Sequence, residues 1–307
     1  MQSAYIGKLM ELAENDPRVL HILADSGTGY DEMFRRNFPK QIYNFGISEE
    51  NMVAAAAGMA SVGKIPFVFT AGAFLAYRSL EFIRDDVCFQ DLNVKIIGMG
   101  SGLSWSSLGP THHTTEDVAV LRAIPNLMIL SPATPRQAAE CLQIAYEHTG
   151  PVYLRIGMNH EKEFFEEGYR MSADTNDLIR EGSDAVIFTT GSILEEVDEA
   201  VSLLEKDDIH AALVNIPVIK PFNEPDILKK VEGAKMVITV EEHNVYGGLG
   251  SMVAEAAAKN GLGVKVKSIG LEDVFASGYG THKEVRKANG LDAGSICQRI
   301  KGYLGDE

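Results

Sequence analysis

The 307-residue chain is poor in cysteine, in basic residues and in long apolar runs, and each shortage removes a class of protein. Its three cysteines, Cys88, Cys141 and Cys297, lie far apart and form no Cys-x-x-Cys pair. They fall in apolar periodic segments, so buried free thiols are expected rather than disulfides or a metal site. Lysine and arginine number 28 against 43 Asp and Glu, a net charge of −15. A nucleic-acid partner needs clustered cations that release counterions on binding, so nucleic acid is not expected as a ligand. A single phosphorylated small molecule remains admissible, because one or two local cations suffice to grip it. No apolar run reaches membrane-spanning length, and Met1-Gln2-Ser3-Ala4-Tyr5 lacks the basic-then-apolar layout of an export signal. We therefore expect a soluble, cytoplasmic protein without membrane contact. There is no Gly-x-Ser-x-Gly elbow to support a serine hydrolase, and no short-period repeat.

What the chain does have is alternation. Short runs rich in Val and Ile (19–24, 66–70, 94–98, 127–130, 152–155) are separated by amphipathic or Ala-rich stretches (4–14, 50–61, 74–87, 116–123, 135–148), the pattern of a doubly wound, mostly parallel α/β sheet. Residues 158–176 are acidic and aromatic without clear period and read as a linker. The alternation then resumes (185–189, 193–205, 211–215, 236–240, a helix after Gly248, 264–266), giving a second, smaller α/β unit. The expected division is 1–176 and 177–307, each part long enough to bury its own core.

Four segments carry the chemistry. Gly46-Ile47-Ser48-Glu49-Glu50-Asn51-Met52 puts carboxylates at the start of a helix whose later residues are nearly all Ala and Gly. Pro66-Phe67-Val68-Phe69-Thr70-Ala71-Gly72-Ala73-Phe74-Leu75-Ala76-Tyr77-Arg78 follows, then Leu108-Gly109-Pro110-Thr111-His112-His113-Thr114-Thr115-Glu116-Asp117. Last comes Val240-Glu241-Glu242-His243-Asn244-Val245-Tyr246-Gly247-Gly248-Leu249-Gly250-Ser251. Its glycines lack the full dinucleotide fingerprint, so they read as close helix-to-sheet packing, not a phosphate cradle. A metal site from His112, His113 and Glu116 has little support, because adjacent histidines lack a third placed ligand. Phe74 and Tyr77, three apart on a helix, would share a face and wall an aromatic slot, although Tyr77 serves core packing equally well.

In order and spacing these segments resemble the C-terminal half of a transketolase, over essentially the whole chain. The resemblance implies thiamine diphosphate as cofactor. It assigns Glu49 to hydrogen-bond the aminopyrimidine ring and promote its imino tautomer, with Glu50 where relatives have His or Gln. It also assigns Phe74 and Tyr77 to the ring, a farther family aromatic being replaced by Leu80. Asp25, at a strand end, would sit at the cofactor and subunit interface, a turn-forming role being its alternative. His112 matches the histidine that stabilises charge on the ketose donor's oxygens. Arg155 matches a sugar-phosphate arginine, against the alternative of a salt bridge. Leu108 stands where the family has an Asp that reads a donor hydroxyl, and Gln2 where it has a phosphate-binding Arg.

The resemblance also exposes a gap. The family's Gly-Asp-Gly followed by Asn, which binds the diphosphate through Mg²⁺, has no counterpart. The implied protein is the C-terminal (β) subunit of a split transketolase. It would transfer a two-carbon ketol unit from a ketose, phosphorylated as is usual in the family, to an aldose. An N-terminal subunit would hold Mg²⁺ and the diphosphate in an α₂β₂ heterotetramer. The β subunit of a 2-oxoacid dehydrogenase E1 component and a non-catalytic paralogue are the alternatives. The Gly109-Pro110-Thr111-His112-His113 segment and the Phe74-Leu75-Ala76-Tyr77 run favour transketolase over the first, which shares the glutamate's role, and the retention of Glu49 and His112 argues against the second.

Overall fold

A computed structural model describes residues 1–26, 29–172 and 176–305. Twelve strands are present among the described residues: β1 (Val19–Leu23), β2 (Ile42–Asn44), β3 (Ile65–Ala71), β4 (Lys95–Met99), β5 (Met128–Leu130), β6 (Val152–Ile156), β7 (Asp177–Arg180), β8 (Ala185–Thr189), β9 (Ala211–Asn215), β10 (Val218–Lys220), β11 (Met236–Asn244) and β12 (Lys265–Leu271). They form a seven-stranded sheet ordered β10-β5-β6-β4-β3-β1-β2 and a five-stranded sheet ordered β12-β11-β8-β9-β7. Pairing is parallel throughout except where β10 meets β5 and β7 meets β9. The α/β class and the two mostly parallel sheets agree with the sequence reading. Strands β1, β3, β4, β6, β8 and β9 are buried along their whole length. Helices cover both faces of such sheets, and their strands therefore read as unbroken apolar runs.

Two differences from the expected pattern matter. Strand β10 leaves the second half of the chain and returns to the first sheet, with Val218 opposite Leu130 and Lys220 opposite Ile129. One buried cluster accordingly runs from Ile22, Val68 and Ile129 through Ile216 and Ile219 to Phe188 and Val237, so the two sheets share a core. Second, the helix expected over 74–87 is wound mostly as π-helix, at Phe74–Arg78 and Ile83–Cys88, around a single α-helical stretch Leu80–Phe82.

The glycine-rich segment after β11 behaves as its composition implies. The helix Leu249–Lys259 begins at Gly248. The buried Glu241 carboxylate accepts from the backbone N–H of Leu249 (2.8 Å) and of Gly250 (2.9 Å). A Cβ on Gly248 would lie 2.3 Å from Glu241 Oε2, and one on Gly250 would lie 2.2 Å from Ser268 Oγ. The helix's anion-favouring end is thus already filled by the chain's own carboxylate. Replacing Glu241 by Ala leaves those N–H groups buried and unpartnered. It should lower unfolding stability by about 2 kcal/mol, read as a lower denaturant midpoint at unchanged slope.

Candidate functional site

Parallel sheets gather functional groups at the carboxyl ends of their strands, because the following loops diverge there. Adjacent strands β4, β3 and β1 end at Met99, Ala71 and Leu23, and a cavity of about 390 Å³ opens above them. Ala24, Asp25 and Ser26 line it after β1, Thr70 and Ala71 at the end of β3, and Met99 at the end of β4. Glu49 and Ile47 enter from the turn after β2, Phe74 from the first π-helical turn, and Trp105, Leu108 and His112 from the loop after β4. Gln2 and Met158 complete the wall.

Glu49 is the first residue of the helix Glu49–Ser61 and is 1% exposed, whereas Glu50 is only partly buried. Its Oε2 accepts from Arg78 Nη1 at 2.6 Å, and among the described residues nothing engages Oε1. Arg78 also stacks over the Phe74 ring, 4.8 Å from its centroid. This Glu49–Arg78–Phe74 unit sits on the first π-helical turn. The wider turn keeps Arg78 beside Phe74, as an α-helix also would, but swings Tyr77 away from the face it would otherwise share with Phe74.

His112 stands edge-on between Phe74 and Trp105, at centroid distances of 5.1 and 6.1 Å. Its Nδ1 lies 3.0 Å from Thr111 Oγ1, which leaves Nε2 for a ligand. His113 turns inward instead: it is 2% exposed with both ring nitrogens unpartnered, and burial pushes its pKa down, so it is held neutral. Asp25 has φ 53°, a left-handed conformation that Asp tolerates. Its N–H donates to Asn44 Oδ1 at 3.0 Å. It is therefore a turn residue and a pocket residue at once. Leu108, 45% exposed, stands on the rim.

Two expectations need correcting. Tyr77 does not share a wall with Phe74. Its hydroxyl donates to Glu116 Oε2 (2.8 Å) and accepts from the Glu116 N–H (2.9 Å), so it braces the histidine loop from outside the cavity. Arg155 is no anion anchor. It is 3% exposed, its Nε donates to Asp117 Oδ2 at 2.6 Å, and its other nitrogens go to Ser131 Oγ and the Thr114 carbonyl, both at 3.3 Å. Every second residue of a strand faces the opposite way, and Arg155 faces the inside of the fold, while Met158 is the residue beyond β6 that reaches the cavity. The sequence reading missed Met99, Trp105 and Met158, which carry no chemical signature, and gave Arg78 no role although it lies within a quoted segment.

This arrangement meets independent likenesses. Residues 1–159 match the transketolase pyrimidine-binding domain, and residues 175–296 match the transketolase C-terminal domain. The chain is 34% identical over 293 residues to a protein of Actinobacillus succinogenes named as one subunit of an apulose-4-phosphate transketolase, covering 95% of this chain and 94% of that one. It is 35% identical over 303 residues to a putative transketolase C-terminal section of Methanocaldococcus jannaschii, covering 98% and 95%. A solved structure described as a split gene transketolase, inactive β4 tetramer, superposes with TM-score 0.89 at 32% identity, covering 99% of this chain and 97% of that chain. The chain belongs to the transketolase family, and it matches the C-terminal, pyrimidine-binding part of that family from end to end.

Replacing Arg155 by Met removes one half of a buried ion pair and leaves the Asp117 carboxylate stranded. Stability should fall by about 3–5 kcal/mol in chemical denaturation, and a second replacement, Asp117→Leu, should restore part of that loss.

Proposed function

We propose that this chain is the C-terminal (β) subunit of a split transketolase, a transferase (EC 2.2.1.-) that moves a two-carbon ketol unit from a ketose to an aldose. The observation that carries this reading is the buried Glu49 carboxylate, tied through Oε2 to Arg78 and set in the wall of a cavity that Phe74 and His112 also line. The donor set fits an aminopyrimidine: a carboxyl oxygen to share a proton, an aromatic face to pack on the ring, and a carboxylate, Asp25, at the strand end. When bound, thiamine diphosphate supplies a thiazolium carbon that acts as the nucleophile toward the donor carbonyl.

The chain's own residues divide the remaining work. Glu49 Oε1 holds or gives up the proton shared with the ring, while Arg78 fixes the carboxyl plane from the other side. His112 Nε2 is placed to donate to donor oxygens as charge develops on them. The sequence contains no Gly-Asp-Gly, so we assign the diphosphate and Mg²⁺ to an N-terminal partner subunit in an α₂β₂ heterotetramer. Two relatives support a split assembly: the A. succinogenes protein is named as one subunit of its enzyme, and the solved homologue is described as an inactive β4 state. We take 1–176 as the pyrimidine-binding unit and 177–307 as the C-terminal unit, which agrees with strand β7 opening at Asp177. A cytoplasmic setting fits the three buried free thiols, and no helix among the described residues is long and apolar enough to cross a membrane.

Purified alone, the chain should fold and show no ketol transfer with thiamine diphosphate and Mg²⁺. Addition of the N-terminal subunit should restore turnover, and substantial turnover by the single chain would sink the split-enzyme reading. In the reconstituted enzyme, Glu49→Gln keeps the shape but removes the proton-sharing carboxyl. We expect turnover and hydrogen–deuterium exchange at the thiazolium carbon both to drop by at least roughly a hundredfold. Exchange at the wild-type rate would move the role to another group.

A further inference from the structure

The walls of the cavity say what kind of donor it admits. Among the described residues no lysine or arginine lines it, and none of the residues outside the described set (27, 28, 173–175, 306 and 307) is Lys or Arg. Apart from Asp25 and Glu49, which are assigned above to the aminopyrimidine, its wall includes Met99, Met158, Leu108 and Trp105. Three cations of the flanking segments are already paired, although the Arg78 side chain stays 43% exposed. Arg78 is tied to Glu49 (2.6 Å), Arg155 is buried against Asp117 (2.6 Å), and the Met1 ammonium group donates to Glu161 at 2.7 Å. The polar groups that remain, Gln2, Ser26, Thr70 and His112, are hydrogen-bonding partners of the kind that sugar hydroxyls use.

We infer that this subunit's share of the site is built for a ketose with an uncharged tail, and that the enzyme prefers donors without a phosphate; the inference rests on the ketol-transfer reading above. A phosphate dianion is held in proteins by charge-assisted bonds from Arg or Lys or by several backbone N–H groups at a helix start. Here it would meet thioethers and an indole, an environment that rejects it by leaving its charge unpaired. Met158 and Leu108 set the preference: one closes the wall beyond β6, the other stands on the rim. Neither can donate a hydrogen bond to an anion.

The test compares two ketoses that cannot close a five-membered ring, L-erythrulose and D-xylulose 5-phosphate, so that open-chain fraction does not confound the result. In the reconstituted enzyme, kcat/KM for L-erythrulose should exceed that for D-xylulose 5-phosphate by at least about tenfold. A preference for the phosphorylated donor would overturn the inference while leaving the ketol-transfer reading intact. A readout independent of turnover comes from Trp105, the only tryptophan of the chain and a lining residue. In the full chain by itself, L-erythrulose should change its fluorescence at concentrations where D-xylulose 5-phosphate does not. Met158→Arg should tighten D-xylulose 5-phosphate by roughly tenfold, and Leu108→Lys, on the exposed rim where folding is not at stake, should act in the same direction. If wild type binds the phosphorylated ketose as tightly as both variants do, the inference fails. If neither donor turns over, ketol transfer is the reading that fails, and the fluorescence comparison still decides the charge preference.

Discussion

Asp117 organises the site from beneath. Its Oδ2 accepts from the Tyr153 hydroxyl at 2.8 Å and from Arg155 Nε at 2.6 Å, all three groups being buried in the first sheet's interior. Arg155 reaches on to the Thr114 carbonyl, and Thr115 in turn accepts from the Asn244 N–H of β11 at 2.7 Å. A cation and an anion this deep are costly unless their remaining hydrogen-bonding capacity is used. The network uses much of it to clamp the segment 114–117, and the clamp fixes where the His112 loop leaves the protein. Backbone clearance depends on the same groups: a Cβ on Gly98 would lie 2.5 Å from the Tyr153 hydroxyl, and one on Gly72 would lie 2.9 Å from Thr114 Oγ1. The two glycines are the spaces into which the clamp closes.

The second half of the chain holds the same loop from above. Glu242, on β11, accepts from His282 Nε2 at 2.7 Å and from Arg286 Nε at 2.5 Å. Burial pushes its carboxyl up, but Arg286 and His282 outweigh that and hold it well below the ordinary glutamate range, so it stays charged. A Cβ on Gly102 would lie 2.5 Å from Glu242 Oε2, and Ser106 Oγ donates to the Gly280 carbonyl at 2.8 Å. The loop bearing Trp105, Leu108 and His112 is therefore pressed between two charged clusters, one from each sheet. Preorganisation of this kind is what a site acting through fixed dipoles requires.

Much of this was legible in the sequence. Wholly buried strands announce themselves as unbroken Val and Ile runs, and β1, β3, β4, β6, β8 and β9 were found that way. Glu49 and His112 were legible because their segments have fixed order and spacing, and both side chains reach the cavity. The failures share a cause, which is that three-dimensional facing is not written in residue type. Strand β10 has three residues and no period to detect, so its return to the first sheet went unseen. Arg155 lies in β6 and Met158 just beyond it, and only the backbone path decides which of the two faces the cavity. Tyr77 was misplaced because the reading assumed 3.6 residues per turn where hydrogen bonds run five apart, as from Ser79 N–H to the Phe74 carbonyl at 3.3 Å.

Strand β10 has a consequence for modularity. The two sheets carry separate family signatures, which invites treating them as interchangeable building blocks. Yet the first sheet ends on a strand borrowed from the second block, and Lys220 at its end donates to the Arg122 carbonyl at 3.0 Å. Cutting the chain between the signatures would bare the hydrogen-bonding edge of β5 and unroof the core beneath Ile219. A chimera assembled from two relatives must therefore match at this seam before it can match anywhere else, so the halves of this subunit are bound to diverge in step.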